Sequence, residues 1–328
     1  MSRSHAPLRM LEEDIEIMIA FGPVPSRRLG RSLGINNIPY KVCTYSCVYC
    51  QVGKTRQLEL ERRNYYKPQK IYEEVSKKID KVYKKNEPID YLTFVPDGEP
   101  TLDANLGREI DLLKPLGLKI AVITNASIIS REDVKEDLAQ ADLISAKIDS
   151  TREKSWHKIN RPHRRLQLRS ILKGISDFAK AYKGRLITES MLVQKLNDNP
   201  AILVEIGEIL ARLNPACAYL AMPTRPPAES WVKAPGAKTL NSAFQIIKEK
   251  FKSLEYLIVS EGDNFSFTGN IEKDLLSITA VHPMNESALI RLLAESGKKW
   301  TIIQNLIDRG QIAQVDYKGT KYYLRCFR

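Results

Sequence analysis

The stretch Cys43-Thr44-Tyr45-Ser46-Cys47-Val48-Tyr49-Cys50 holds three of the chain's five cysteines within eight residues, at spacing C-x3-C-x2-C. Cys217 and Cys326 stand far from it. Thiolates are soft ligands, suited to iron–sulfur clusters, zinc or copper(I). A cubane [4Fe–4S] cluster takes four thiolates, one per iron, so three close thiolates leave one iron open to a small molecule. Tyr49 sets an aromatic ring directly before the last cysteine. A zinc site with three thiolates needs a fourth ligand. The four histidines, His5, His157, His163 and His282, do not stand in C-x2-C…H-x3-H spacing. Five is an odd number for a disulfide framework, and no secreted pattern accompanies the cysteines.

Downstream of the cysteines, apolar strands and amphipathic helices alternate. The spacing of Ile71, Val75, Ile79 and Val82 predicts a helix over Gln69–Lys85. A strand over Tyr91–Val95 then runs into Pro96-Asp97-Gly98-Glu99-Pro100-Thr101. There Gly98 permits close backbone approach and Glu99 offers an acceptor for an ammonium group. A helix over Leu102–Leu116 and a strand over Lys119–Thr124 follow, with Asn125 just past the strand. Next come a helix over Arg131–Ala139 and a strand over Leu143–Ile148 that ends at Asp149-Ser150. Asp149 suits either a ribose diol or a helix cap. Lys147 reads as an interior or a surface lysine. Trp156 to Arg165 reads as a polar, aromatic loop before a helix bearing Leu168, Ile171, Leu172, Ile175 and Phe178. The strand Arg185–Val193 carries Glu189, which is costly to bury unpaired and so points to a polar interior or a lysine partner. Helix Pro200–Leu213 and strand Ala216–Ala221 complete a sixth alternation, with Cys217 as a core residue. The Pro-rich Met222–Gly236 is too long for a routine connection and reads as an edge or lid of the site. Helix Asn241–Phe251 and strand Tyr256–Ser260 end the series. Upstream, residues 8–20 read as a short helix and Phe21–Gly30 as a shaped loop. Ser32–Pro39 reads as the first strand. Arg27, Arg28 and Arg31 either solvate that loop or lie near the cysteines as anion ligands. Repeated strand–helix alternation is the pattern of a parallel α/β sheet.

C-x3-C-x-aromatic-C resembles the signature of the radical S-adenosylmethionine (SAM) superfamily. The Gly98-Glu99-Pro100 turn resembles the family's Gly-Gly-Glu motif, with Asp97 departing from the usual first glycine. The PSRRLGRSLGIN, GEPTL and NRPH segments resemble an iron–sulfur oxidoreductase group of that superfamily, distantly related to the tRNA wybutosine-synthesis enzymes. The resemblance implies a partial (β/α)6 barrel over about Phe21–Ser260, within a domain spanning 1–265. It implies a [4Fe–4S] cluster held by Cys43, Cys47 and Cys50. It implies SAM on the open iron, with Tyr49, Gly98, Glu99, Pro100, Asn125 and Asp149 as its contacts. An external electron donor is implied as a partner, and reductive cleavage of SAM as the start of radical chemistry.

The composition, 43% hydrophobic and 27% charged over 328 residues, is that of a globular protein. No apolar run reaches a membrane span's length and the first residues do not read as a signal peptide, so the reducing cytoplasm is expected. The net charge is +12. Residues 152–185 hold eleven Lys or Arg against two acids, which suits RNA or a solvated helix face. Within that segment a stripe of Arg165, Arg169 and Lys173 suits phosphates, and Trp156 or a histidine suits base stacking. From about Ile271, three helices (Asp274–Ile278, Glu286–Glu295, Trp300–Arg309) and a hairpin (Ile312–Tyr317, Lys321–Cys326) resemble a winged helix over 271–328. Three activities fit: a radical enzyme acting on tRNA or other RNA, one acting on a protein, peptide or small metabolite, and an iron–sulfur DNA-binding sensor. The GEP turn disfavours the sensor, which has no use for SAM.

Overall fold

A computed structural model describes residues 19–257 and 265–326. The chain opens with β1 (Ala20–Ser26) and β2 (Gly30–Ile35), which form an antiparallel hairpin. The cysteine loop follows, stiffened by a short parallel pair, β3 (Val42–Cys43) and β4 (Gln57–Leu58). Then helices and strands alternate: α1 (Pro68–Tyr83), β5 (Tyr91–Phe94), α2 (Leu106–Leu113), β6 (Lys119–Thr124), α3 (Glu132–Leu138), β7 (Leu143–Lys147), α4 (Glu153–Asn160), α5 (Leu168–Ala181), β8 (Arg185–Met191), α6 (Pro200–Leu213), β9 (Cys217–Ala221), α7 (Ala237–Lys250) and β10 (Leu254–Leu257). The sheet order is β1-β2-β5-β6-β7-β8-β9-β10, and every neighbour pair after β1–β2 is parallel. This is the α/β partial barrel that the sequence led us to expect, with β2 and β5 to β9 as its six strands.

Alternation along the strands sorts side chains between two faces. Ile144, Ala146, Ile120 and Val122 face the helices and join the main core with Ile71, Val75, Ile110 and Ile175. Leu29, Ala121, Leu143, Ile187, Cys217 and Tyr219 pack together on the concave side. Cys217 opens β9, so this plug fills the end of the barrel opposite the cysteine loop.

Two expectations need correction. Phe21–Gly30 is not a free loop, because Ala20–Ser26 is a strand despite Pro23 and Pro25. β1 lies at the sheet edge, where a missing N–H costs least, and its register shifts between Phe21 and Val24. Gly34 admits it closely: a Cβ there would sit 2.0 Å from the Phe21 ring. Trp156–Asn160 is helix, not loop, because Trp156 and Ile159 share one buried face of α4. The helix expected over residues 8–20 falls outside the described residues, apart from Ile19 and Ala20; Ala20 begins β1. Residues 258–260 of the last expected strand also lie outside them.

The C-terminal segment comprises α8 (Ile271–Val281), β11 (Met284–Asn285), α9 (Glu286–Glu295), α10 (Thr301–Asp308), β12 (Ile312–Tyr317) and β13 (Thr320–Arg325). Its three strands pair in the order β11-β13-β12. It has its own core, including Phe265, Leu275, Ile278, Leu289, Leu292, Ile303, Leu306 and Tyr323. It docks through a buried ion pair, Lys78 Nζ to Asp274 Oδ1 at 3.0 Å. Its hairpin touches the Pro-rich stretch: Tyr317 OH donates to the Pro223 carbonyl (3.3 Å) and Tyr322 OH to that of Thr224 (3.1 Å). Among the described residues no helix is long and apolar enough to cross a membrane.

Candidate functional site

All the parallel strands end at one rim, and the cysteine loop leaves β2 at that rim. The loop is fastened from below by the GEP turn. Glu99 N donates to the Val42 carbonyl at 3.1 Å. A Cβ on Gly98 would lie 1.8 Å from the same oxygen, so no other residue fits that position without movement. From the side, Ser46 N donates to the Asn160 carbonyl (3.0 Å) and Val48 N to that of Ile159 (2.8 Å). Tyr45 bridges to Pro162.

The five cysteines are free thiols. Each loop cysteine has its own polar neighbour. Asn125 Nδ2 lies 3.6 Å from Cys43 Sγ, Asn160 Nδ2 3.4 Å from Cys47 Sγ, and Lys41 Nζ 3.3 Å from Cys50 Sγ. Burial pushes the Cys43 and Cys47 thiols up to about 12, so binding metal must release their protons. Lys41 is itself buried, at 2% exposure. Burial opposes its charge, and the nearby Cys50 and Cys43 sulfurs outweigh that and hold it above the ordinary lysine range. Among the described residues no three His, Cys, Asp or Glu side chains converge on a single-ion site. A cubane does not require convergence, since each thiolate takes a different iron. Three soft donors on one loop, each met by a donor to sulfur, fit such a cluster.

The other expected site residues form a network behind the thiols. Glu99, at 1% exposure, accepts from Thr101 N, Thr101 Oγ1 and Thr124 Oγ1 on Oε1, and from Asn125 N (2.8 Å) on Oε2. Burial raises its carboxyl and these bonds offset part of the rise. Pro100 opens a short 3-10 turn, and its carbonyl accepts from Asn37 Nδ2. Asn125 Nδ2 also donates to Thr44 Oγ1 at 2.7 Å. Asp149 accepts from Tyr49 OH and from Asn160 Nδ2 (2.7 Å) on Oδ2, and from Met191 N (2.8 Å) on Oδ1. Asp97 accepts from Asn36 Nδ2 at 3.1 Å, and burial lifts its carboxyl to about 7. Asp97 Oδ1 and Asn160 Oδ1 are buried acceptors with no hydrogen-bond partner among the described residues. Such open acceptors fit the ammonium and hydroxyl donors of SAM.

Lys147 and Glu189 both face the concave side and pair at 2.8 Å. Arg28 Nη1 reaches the other oxygen of Glu189 at 2.5 Å and Ser145 Oγ at 3.4 Å. Burial alone would raise the Glu189 carboxyl; the Lys147 and Arg28 charges outweigh it and hold it at about 2. Lys147 Nζ also sits 4.9 Å from the Tyr49 ring centroid. Arg31 turns away and pairs with Glu87. Trp156 is 2% exposed and donates to Tyr45 OH, so it supports the cysteine loop and is not free to stack on a base. Asn160 and Lys41 carry no role in the sequence reading. Asn160 had a signal, since it opens the NRPH segment, but only the fold brings it to Cys47. Lys41 had none.

Met222–Gly236 borders this site, as an edge. Glu229 N donates to the Val48 carbonyl (3.1 Å), Arg225 Nη1 to Gln51 Oε1 (2.9 Å), and Gln194 N to the Lys233 carbonyl (2.9 Å). Val232 packs with Val48, Tyr49, Ile159 and Val193.

A half-barrel with three thiols on the loop after its first parallel strand defines an iron–sulfur, SAM-dependent class of enzyme. The radical SAM superfamily profile matches residues 37–204, and the chain belongs to that superfamily. Membership implies SAM and an iron–sulfur cluster. The chain is similar to a UPF0026 protein of Methanocaldococcus jannaschii, 45% identical over 94% of this chain and 96% of that one. It is also similar to a UPF0026 protein of Helicobacter pylori, 32% identical over 69% and 71%. Among solved structures, TYW1 with a lysine-pyruvate adduct bound superposes with a TM-score of 0.52 at 18% identity, covering 67% of this chain and 73% of that one. A radical SAM methyltransferase from Sphaerobacter thermophilus gives 0.52 at 16% identity, over 70% and 67%. At such identities these two likenesses concern the fold alone.

Proposed function

We propose that this chain is a radical SAM enzyme that acts on RNA, with Cys43, Cys47 and Cys50 holding a [4Fe–4S] cluster. Held by these three thiolates, the cluster would supply one-electron reduction of SAM, the chemistry by which that cofactor starts hydrogen-atom abstraction. The protein's own part is positional. The GEP turn and α4 clamp the cysteine loop. Tyr49 and Asp149 set an aromatic ring and a carboxylate at the ends of β7 and β8, where the adenosine would lie. The plug of Leu29, Leu143, Ile187 and Cys217 closes the far end of the barrel to water. Glu189 holds Lys147 charged, so Lys147 acts as a cation and not as a nucleophile.

The observation that carries the substrate class is the rim of the site. Trp231 is 49% exposed on the loop tied to Val48. Lys54 and Arg161 share Glu229 beside it, at 3.2 and 2.5 Å. Lys195 and Lys233 are exposed on the strands of chain joined by the Gln194–Lys233 bond. An exposed aromatic ring among cations suits an unpaired base and its phosphates. The stripe on α5 is a weaker support, because Arg165 pairs with Glu61 and Lys173 with Asp177. The C-terminal segment has the element order of a winged helix, and we assign it to grasping the same RNA.

The test is anaerobic. Reconstituted protein with dithionite and SAM is expected to yield 5′-deoxyadenosine, and the Cys43/Cys47/Cys50→Ala variant none. Fluorescence anisotropy with labelled tRNA is expected to show binding that weakens steeply with salt, and Trp231→Ala is expected to weaken it at least tenfold. Product formation without RNA affinity would replace RNA by a protein, peptide or metabolite substrate. Failure to bind SAM would overturn the enzyme reading.

A further inference from the structure

The side chain of Lys41 takes no part in the clamping of the cysteine loop. The residue lies in the left-handed region, with φ 59°, where a lysine is strained. Its carbonyl already fastens the loop, accepting from Arg56 N (3.1 Å) and Gln57 N (3.2 Å). Its side chain is nonetheless drawn inward, to 2% exposure, and the ammonium donates to Cys50 Sγ. A lysine head group ordinarily snorkels to water, and burying it is costly unless a negative partner is present. Asn125 and Asn160, the neighbours of the other two sulfurs, are neutral. Lys41 is thus the cation in hydrogen-bond contact with a loop sulfur; its charge also reaches Cys43, and that of Lys147 reaches Cys47.

We propose that Lys41 is a potential-setting residue, a buried positive charge that favours the reduced state of the cluster through Cys50. This rests on the cluster assignment above. Reduction adds one electron, delivered by an external one-electron donor, and one unit of negative charge to the cluster. A fixed cation a few ångströms away stabilises the reduced state more than the oxidised state, and buried surroundings screen it little. Hydrogen bonds to cluster sulfurs, net charge and solvent exposure are the levers by which proteins set such potentials. Lys41 supplies the first two at once. Without it, the same donor would leave a smaller share of the enzyme reduced.

The test uses the reconstituted full chain, with Lys41→Met, Lys41→Gln and Lys41→Arg beside the wild type. Iron and sulfide per chain are measured first, then the midpoint potential by redox titration followed by electron paramagnetic resonance. Both neutral variants are expected to keep the wild-type iron content. Both are expected to show at least a tenfold lower reduced-to-oxidised ratio at the same poise, or about 59 mV for one electron. Lys41→Arg is expected to stay near the wild type. A neutral variant that holds its iron and keeps the wild-type potential overturns the proposal. So does loss of iron in both neutral variants with retention in Lys41→Arg, which would make Lys41 an assembly residue. A wild type that takes up no iron would sink the cluster assignment itself, a separate outcome visible before any variant is titrated.

Discussion

Glu189 shows how one buried carboxylate decides a local charge balance. It faces two cations, Arg28 and Lys147, inside the barrel. Replacing it by Gln removes the salt-bridge partner of both, leaving Lys147 only the more distant Asp149 charge, and breaking a buried pair this way costs about 3–5 kcal/mol. Its carboxyl titrates from an ordinary 4.5 down to about 2. A depressed carboxylate contributes stability above its unfolded value and loses it as pH falls toward its folded one. The gap between wild type and Glu189→Gln in urea unfolding is therefore expected to be full at pH 7. It should narrow below about pH 4.5 and be smallest near pH 2. A pH-independent gap would mean that shape, not charge, is what Glu189 provides. Gly98 makes a second case. An added Cβ meets the Val42 carbonyl at 1.8 Å, and backbone cannot yield as a side-chain tip can. Gly98→Ala is expected to cost roughly 1–3 kcal/mol and to lower iron retention after reconstitution; unchanged melting and iron content would contradict it. The glycine was legible in the sequence as a point of close backbone approach, and the structure shows that the backbone approaching it is the cysteine loop's own Val42 carbonyl. Lys147 and Glu189 were legible one at a time; only the register, in which they stand side by side on β7 and β8, makes them a pair.

Elements were easiest to read where the apolar pattern is clean. Lys119–Thr124 matches its expected bounds as a nearly continuous buried run, and Pro200–Leu213 as an amphipathic helix whose buried Ile202, Ile206, Leu210 and Leu213 recur at helical spacing after the Asn199 cap. β1 was missed because its signal is positional. Two prolines exclude a central strand but are tolerated at an edge, and no local pattern says which strand will be the edge. α4 was missed because polar residues outnumber its buried pair, Trp156 and Ile159. Its role is that of a strut: its last residue, with Arg161 at φ 44°, turns the chain into the NRPH segment against the cysteine loop. Asn160 joins that strut to both Asp149 and Cys47. Asn160→Ala removes a donor from a buried carboxylate, for a loss of about 1–3 kcal/mol. The same change is expected to raise hydrogen exchange at the Ser46 and Val48 amides, which bond to α4. Exchange that stays at the wild-type rate would show that the backbone bonds hold the strut without the side chain.

At the scale of the whole molecule, the rim of the barrel and the C-terminal hairpin meet through Met222–Gly236, which touches Val48 on one side and Tyr317 and Tyr322 on the other. The Pro-rich composition marked this stretch as unusual; its two contacts join segments that sequence order keeps far apart. The opposite side of the docking rests on Lys78 of α1 and Asp274 of α8. Asp274 also accepts from Thr268 N (2.7 Å) and Thr268 Oγ1 (2.5 Å), so it ties down the lead-in to its own helix, which Asn270 caps, while neutralising a lysine from another core. Burial draws the Lys78 ammonium below the ordinary lysine range, and the Asp274 carboxylate offsets part of that. Asp274→Asn leaves Lys78 buried against a neutral partner, and a loss of about 3–5 kcal/mol in docking is expected. If the two cores unfold as one unit, a single transition shifts. If docking alone is weakened, amides of α8 to α10 exchange faster while those of β5 to β8 do not, and Trp300, packed edge-on to Tyr323 at 5.6 Å, keeps its emission. An apolar replacement of both partners, Lys78→Met with Asp274→Leu, is expected to recover most of the loss, because neither charge is then stranded. Exchange in Asp274→Asn equal to the wild type would mean that the apolar contacts of α8 with β1, and not this ion pair, hold the C-terminal segment to the barrel.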